Sequence, residues 1–228
     1  MMHVYLGIPE LKKVCKSYGV TINEYLVSAY IWSIYTEYMH RMPSGKPIRI
    51  AVPVNLRPYF SSITTKNFFV MVSAEFTPEK DEYTFAELTQ LVRESLRSQM
   101  TAEHLENVFS YNVSCQKSFI LKILPLPLKH IGMRLVFNRS ALANTSTISN
   151  VGMIDVDEAY RPYIDTFHMF MAISKGQYIK GTVCSYNGTL VFTFTYGLRD
   201  VSLQRGFIRV LTDDGLHVEL ESNGVQYG

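Results

Sequence analysis

Residues 48–71 read IRIAVPVNLRPYFSSITTKNFFVM. Ile48, Ile50, Val52 and Val54 alternate with smaller or polar residues, the pattern of a strand with one buried face. A polar loop follows, and a second apolar run over Phe68–Phe76 predicts another strand. The chain turns between them at Arg57-Pro58, because the residue before a proline is driven out of helical backbone. Arg57 is the unusual residue of the stretch. A cation at the mouth of a buried strand needs a carboxylate or several carbonyls around it.

Upstream, residues 1–19 read as a lead-in with one short helix over Pro9–Tyr18. Thr21 then opens a strong helix: Thr21 and Glu24 have capping-box spacing, and Val20 and Tyr25 suit a hydrophobic staple. From Tyr25 to Tyr35 this helix is apolar nearly all round, so it should be buried on most faces. Downstream, Thr84 and Glu87 repeat the capping box for a helix reaching about Met100. Phe85, Leu88, Leu91, Val92, Leu96 and Met100 form its apolar stripe, with Glu87, Gln90, Arg93, Glu94 and Arg97 opposite. Residues 103–139 read as further helix, interrupted at Pro125 and Pro127.

The last third changes to strand patterning, over Ser146–Ile154, Tyr163–Ile173, Tyr178–Tyr186 and Leu190–Tyr196. Asn187-Gly188 is the strongest hairpin signal in the chain. Asp200 should cap a helix over Val201–Leu211, Gly215 should end it, and His217–Glu221 alternates as a closing strand. Strands interleaved with helices, and no internal repeat or linker, point to one α/β domain over residues 1–228, a mixed β-sheet flanked by helices.

Composition narrows the function classes. Of 228 residues 47% are apolar and 18% charged, which suits a large core and excludes disorder. With a formal net charge of +2 and no long Lys/Arg run, nothing suggests nucleic acid or an anionic membrane. No apolar run reaches membrane-spanning length. Three widely spaced cysteines, Cys15, Cys115 and Cys184, without a C-x-x-C, read as reduced thiols, and with no signal peptide in the sequence the expected location is the cytoplasm.

Catalytic signatures are scarce. The six histidines are isolated, with no metal-ligand spacing among them, so no metal is expected. His168 lies in an apolar run and reads as a structural histidine. Ser114-Cys-Gln-Lys117 matches the S-x-x-K of serine acyl-enzymes, but its partner motifs are missing. Ser146-Thr-Ile-Ser-Asn-Val-Gly152 reads either as a strand end with an Asn corner and a Gly turn, or as a wall that presents Ser149 and Asn150 to a ligand.

Four pieces of the chain resemble, in order, the C-terminal half of the CoA-dependent acyltransferases. That superfamily includes chloramphenicol acetyltransferase, peptide-synthetase condensation domains and alcohol acetyltransferases. The pieces are the helix VTINEYLVSAYIWSIY, the segment AVPVNLRPYF…NFF, the strand STISNVG, and the tail YNGTLVFTFTYGLRD. The resemblance implies one lobe of a two-lobed, chloramphenicol-acetyltransferase-like fold. It implies acyl transfer, with acetyl one candidate, from acyl-CoA such as acetyl-CoA to a small-molecule alcohol or amine. CoA would be a donor substrate, with no covalently bound cofactor. By motif position Arg57 is the structural arginine that pairs with an Asp across the lobe junction. Asn55 and Asn67 hold the crossover loops, and Ser149 and Asn150 line the tunnel. The family's His-His-x-x-x-Asp-Gly does not occur in this sequence. No catalytic residue is therefore assigned, and the chain alone should not turn over. The expected partner is an N-terminal lobe, or a second copy through the exposed lobe face. Two other readings stay open: a non-catalytic binding module, and a condensation-like domain using an acidic acyl carrier. Arg93, Arg97, Lys117, Lys122 and Lys129 could form a basic patch for such a carrier.

Overall fold

Seven strands form one mixed sheet in the order β3-β2-β4-β5-β6-β1-β7. They are β1 (Met2–Gly7), β2 (Ile48–Asn55), β3 (Phe69–Phe76), β4 (Ser146–Met153), β5 (Ile179–Tyr186), β6 (Thr189–Tyr196) and β7 (Val218–Ser222). The computed structural model describes residues 1–61, 63, 67–117 and 125–223. Its helices are α1 (Ile8–Tyr18), α2 (Ile22–Glu37), α3 (Phe85–Gln99), α4 (Ala102–Lys117), α5 (Leu126–Ala143) and α6 (Ser202–Asp213). β2 runs parallel to β4 and β4 parallel to β5; the other neighbours are antiparallel.

Alternation along the strands divides the sheet into two faces. Ile50, Val52, Ile148, Val183, Phe192, Phe194 and Val4 point into the main core, against α2 and its neighbours. α2 is buried from Glu24 to Tyr35 except at Trp32, as its all-round apolar sequence requires. Both capping boxes form, Thr21 with Glu24 and Thr84 with Glu87. The Asn187-Gly188 hairpin is in place between β5 and β6. Both residues have positive φ, 46° and 83°, the backbone a two-residue type I′ turn demands. Asp200 accepts from the Ser202 backbone N–H at 2.9 Å just ahead of α6, but the cap position itself is Val201, with no side-chain cap bond.

Several expectations need correction. The stretch over residues 1–19 holds its helix, but Met2–Gly7 is also a strand, inserted between β6 and β7. Val4 and Leu6 are buried while Tyr5 turns to the other face, so a short run of alternation was enough. Tyr163–Ile173 is not a strand. Arg161–Tyr163 is a 3₁₀ turn, and residues 164–173 cross the second face of the sheet without regular structure. This strap is tied down by side chains instead of a ladder. The Thr182 hydroxyl donates to the Met169 carbonyl at 2.5 Å, and the Cys184 thiol to the Phe167 carbonyl at 3.1 Å. Of the helix read over 103–139, broken at Pro125 and Pro127, the described residues hold α4 and α5. Pro125 and Pro127 stand at the start of α5, where a missing N–H costs nothing.

Candidate functional site

The corner after β2 is built from its own side chains. The Asn55 side-chain oxygen accepts from the Arg57 backbone N–H at 3.1 Å and from the Arg57 guanidinium at 3.4 Å. Leu56, fully buried, donates its N–H to the Phe68 carbonyl at 3.0 Å, and its own carbonyl accepts from Tyr59 and Phe60. The corner is thus anchored on the core side by Leu56 and leaves Arg57 exposed beside Asn55. Asn67 is also exposed, just ahead of Phe68, whose ring packs edge-on against Phe109 with centroids 5.3 Å apart.

On β4 the two flagged neighbours face opposite ways. Ser146, Ile148 and Asn150 point toward the helices. Tyr30, fully buried on α2, shares a hydrogen bond with the Ser146 hydroxyl at 2.9 Å, which donates onward to the Ile179 carbonyl at 2.6 Å. The Asn150 amide donates to Asn23 at the start of α2 (3.4 Å), and its oxygen accepts from the Gly152 N–H at 2.8 Å. The ladder to β5 shifts register between Asn150 and Gly152, and Gly152 takes φ +86°. Asn150 therefore holds a bulge. Ser149 points to the second face, opposite Thr182 of β5, half-buried. Its hydroxyl makes no side-chain hydrogen bond among the described residues, so it is available to a ligand.

β2 and β4 part company close to these residues. Their ladder consists of Ile50↔Ser146 and Ala51↔Thr147, though both strands continue beyond it. β4 and β5, by contrast, stay paired to Met153. The parting leaves β2, leading to Asn55 and Arg57, on one lip and β4, carrying Ser149, on the other. Asn67 stands near the first lip, at the start of β3. A split between parallel strands is a place where a polar chain end or a second protein layer can enter.

No family profile and no curated protein matches the chain, but solved structures do. The epimerization domain from the third module of tyrocidine synthetase B superposes with a TM-score of 0.57 at 12% identity, covering 94% of this chain and 47% of that one. The first condensation domain of the calcium-dependent antibiotic synthetase gives 0.52 at 11%, covering 96% and 47%. A wax ester synthase/diacylglycerol acyltransferase from Marinobacter aquaeolei VT8 gives 0.50 at 15%, covering 94% and 49%. The fold is that of a condensation/acyltransferase-like lobe. The chain spans about half the length of those three structures.

Elsewhere the lobe offers less. His168 stacks on His3 with centroids 4.2 Å apart, and its Nε2 is 2.8 Å from the Tyr5 hydroxyl. Tyr5 also donates to Glu221. Burial and then the Glu221 carboxylate push the Tyr5 phenol up to about 12 and keep it protonated. Burial, then the neighbouring His168, hold His3 below the usual imidazole range. Cys15 and Cys184 are buried free thiols; burial raises Cys15 to about 12, so it is inert. Of the supposed basic patch, Arg97 is bound to Glu24 and Arg93 donates to Gln90, while the Lys117 side chain and Lys122 lie outside the described residues. Ser114 is exposed on α4. Among the described residues no group of His, Cys, Asp and Glu is arranged to hold a metal ion, and no helix is long and apolar enough to cross a membrane.

Proposed function

We propose that this chain supplies the C-terminal lobe of an acyltransferase moving an acyl group from acyl-CoA to a small alcohol or amine, acetyl-CoA being the simplest donor. The observation that carries this reading is the parting of β2 from β4, with the corner at Asn55 and Arg57 on one side and the uncommitted Ser149 hydroxyl on the other. In the proposed enzyme a second lobe brings the signature histidine as general base on the acceptor, and its Asp pairs with Arg57. The Ser149 hydroxyl then donates to the oxyanion that forms at the thioester carbon. Asn55 and Asn67 keep the corner and the following strand in register.

The partner in this reading is that N-terminal lobe, in the same chain or another. α5 suits such a partner, since Leu126, Leu128, Ile131, Met133, Leu135 and Phe137 are all exposed on it. Without the partner lobe, the same surface would drive self-association. A reaction on acyl-CoA belongs in the cytoplasm, where we place the chain. The carrier-protein reading is weaker, because the arginines it needs on α3 already have partners on this lobe.

The test is thiol release from acetyl-CoA with a panel of alcohols and amines. The chain alone is expected to be inactive. Co-expression with an N-terminal lobe bearing His-His-x-x-x-Asp-Gly should restore turnover, and Arg57→Ala should abolish it. Turnover by the chain alone that survives replacement of both His104 and His168 would overturn the reading.

A further inference from the structure

Two histidine rings lie face to face on the second face of the sheet. His3 is on β1 and buried, and His168 is on the strap over residues 164–173. Their centroids are 4.2 Å apart and their planes 25° from parallel. The Phe170 ring stands edge-on to His3 at 5.5 Å. The His3 Nδ1 is 2.9 Å from the Thr193 hydroxyl on β6. The His168 Nε2 is 2.8 Å from the Tyr5 hydroxyl, whose own proton goes to Glu221. A hydroxyl has one hydrogen, so the Tyr5 oxygen accepts here and the His168 Nε2 donates. That leaves the Nδ1 of a neutral His168 as the atom that takes up a proton.

Among the described residues, the charges around this pair come mainly from β7. Glu221 stands opposite His3 in the ladder, and Glu219 opposite Tyr5. The Tyr5 hydroxyl holds Glu221 below the usual carboxylate range, so it stays charged while the imidazoles titrate. β6 offers the neutral Thr193, and β5 offers Thr182 level with it and Lys180 one pair further along. On the strap Asp165 is exposed. The Met1 amino group acts on His3 in the same sense as His168. Glu221 thus serves two imidazoles with one negative charge. A first proton on the pair is balanced by it. A second sets two cations ring to ring in a partly buried place. Such a pair titrates in two steps, not as two separate groups.

We infer that the stacked histidines are an acid-sensitive catch on the strap: neutral or singly protonated they hold it on the sheet, and doubly protonated they release it. The strap has few other fastenings. It forms no strand, and it is held by the Thr182 and Cys184 side chains at the Met169 and Phe167 carbonyls and by the Phe167 ring edge-on against Tyr186. The two carbonyls bracket His168, so a displaced ring pulls on both. The face uncovered is the one that carries Ser149, opposite Thr182. Burial and then His168 keep His3 below the usual imidazole range while the strap is closed. The open strap therefore binds protons better. Closure is complete above the ordinary imidazole value of about 6.5 and is lost as pH falls below it. This inference does not depend on the acyl-transfer reading.

The reporter is Cys184, 1% exposed beneath the strap, and the control is Cys15, 3% exposed in the main core. The full chain is treated with dipyridyl disulfide, which stays reactive in acid. Each cysteine is followed by mass spectrometry, its rate taken relative to a free thiol at the same pH. From about pH 7 to about pH 5 the Cys184 rate should rise about tenfold while Cys15 stays protected. His168→Gln keeps a donor for Tyr5 without a charge, and His3→Gln removes the other charge, so in each the rise should vanish. The ring protons of both histidines, followed by NMR in wild type, should titrate in two steps, with Cys184 opening at the second. No rise in wild type would overturn the inference, and so would an equal rise in both variants. Cys15 opening in step with Cys184 would mean general acid unfolding and overturn it too. Should both variants already expose Cys184 at neutral pH, the wild-type titration decides. Opening at a pH where neither ring changes charge would then end the proposal.

Discussion

Arg97 reaches from α3 to the start of α2 and closes on the Glu24 carboxylate at two points, 2.7 and 3.2 Å. Glu24 is the capping-box partner of Thr21 in the first turn of α2, and its side chain is only 3% exposed, while that of Arg97 is 47% exposed. One carboxylate thus ends one helix and fastens the next. Burial pushes Glu24 upward, but the Arg97 hydrogen bonds, the Thr21 N–H and the Arg97 charge together outweigh it and leave its pKa lowered.

A lowered carboxylate contributes stability that is complete above its unfolded pKa, about 4.3, and is lost as pH falls through its folded value. Wild type and Glu24→Gln should therefore differ fully in denaturant midpoint near pH 6, and converge only as the pH falls through the lowered folded pKa of Glu24. Arg97→Met should lower the denaturant midpoint at pH 7, because it leaves the buried Glu24 carboxylate without its cation. The loss should be smaller than for a fully enclosed pair, because half of Arg97 is in water. A difference that stays constant down to pH 2 would mean that Glu24 is not the titrating group.

Arg57→Ala should change the stability of this chain by less than about 1 kcal/mol, the range for exposed polar contacts, since Arg57 is exposed. Urea unfolding of the two proteins decides it. A loss of several kcal/mol would reveal a buried partner within these residues and remove Arg57 from the lobe junction.

Ser146→Ala and Tyr30→Phe should not be equal. Ser146→Ala strands the buried Tyr30 hydroxyl and should cost ~1–3 kcal/mol. Tyr30→Phe removes that hydroxyl and leaves Ser146 bonded to Ile179, so it should cost less. Chemical denaturation of both variants gives the comparison.

Gly181→Ala should destabilise by ~1–3 kcal/mol through overpacking. The added Cβ would stand 2.6 Å from the Phe192 ring and 3.2 Å from Ile148. Phe192→Leu in the same chain should recover part of the loss, measured as a double-mutant cycle.

Local chemistry was legible wherever a signal was complete within a few residues. Thr21 with Glu24, Thr84 with Glu87, and Asn187 with Gly188 each carry their own instruction, and each formed. β1 escaped because its burial depends on β6 and β7, nearly the whole chain away. The strap at 164–173 misled because apolar residues suit a layer on a sheet as well as a strand within it. Arg97 looked solvated on a helical wheel, and only the packing of α3 on α2 turned it onto Glu24. At the site, Asn55 and Arg57 were readable as a corner. That Ser149 and Asn150 face opposite sides follows from strand alternation, but the bulge held by Asn150 needs β5 in place.

The position of β1 sets a timetable for the newborn chain. β1 is held in the sheet by Thr189–Phe194 on one side and Val218–Ser222 on the other, both made long after it. Until those segments are made, Val4 and Leu6 have no place to be buried, and both edges of β1 stay open. Native pairing across so long a stretch of chain is slow, and open edges invite pairing with the wrong molecule. The β5–β6 hairpin, local and closed by its own turn, is the natural nucleus. Shortening the chain from its C-terminal end before residue 218 should therefore show itself at the opposite end, as a loosened β1 with a strong tendency to aggregate.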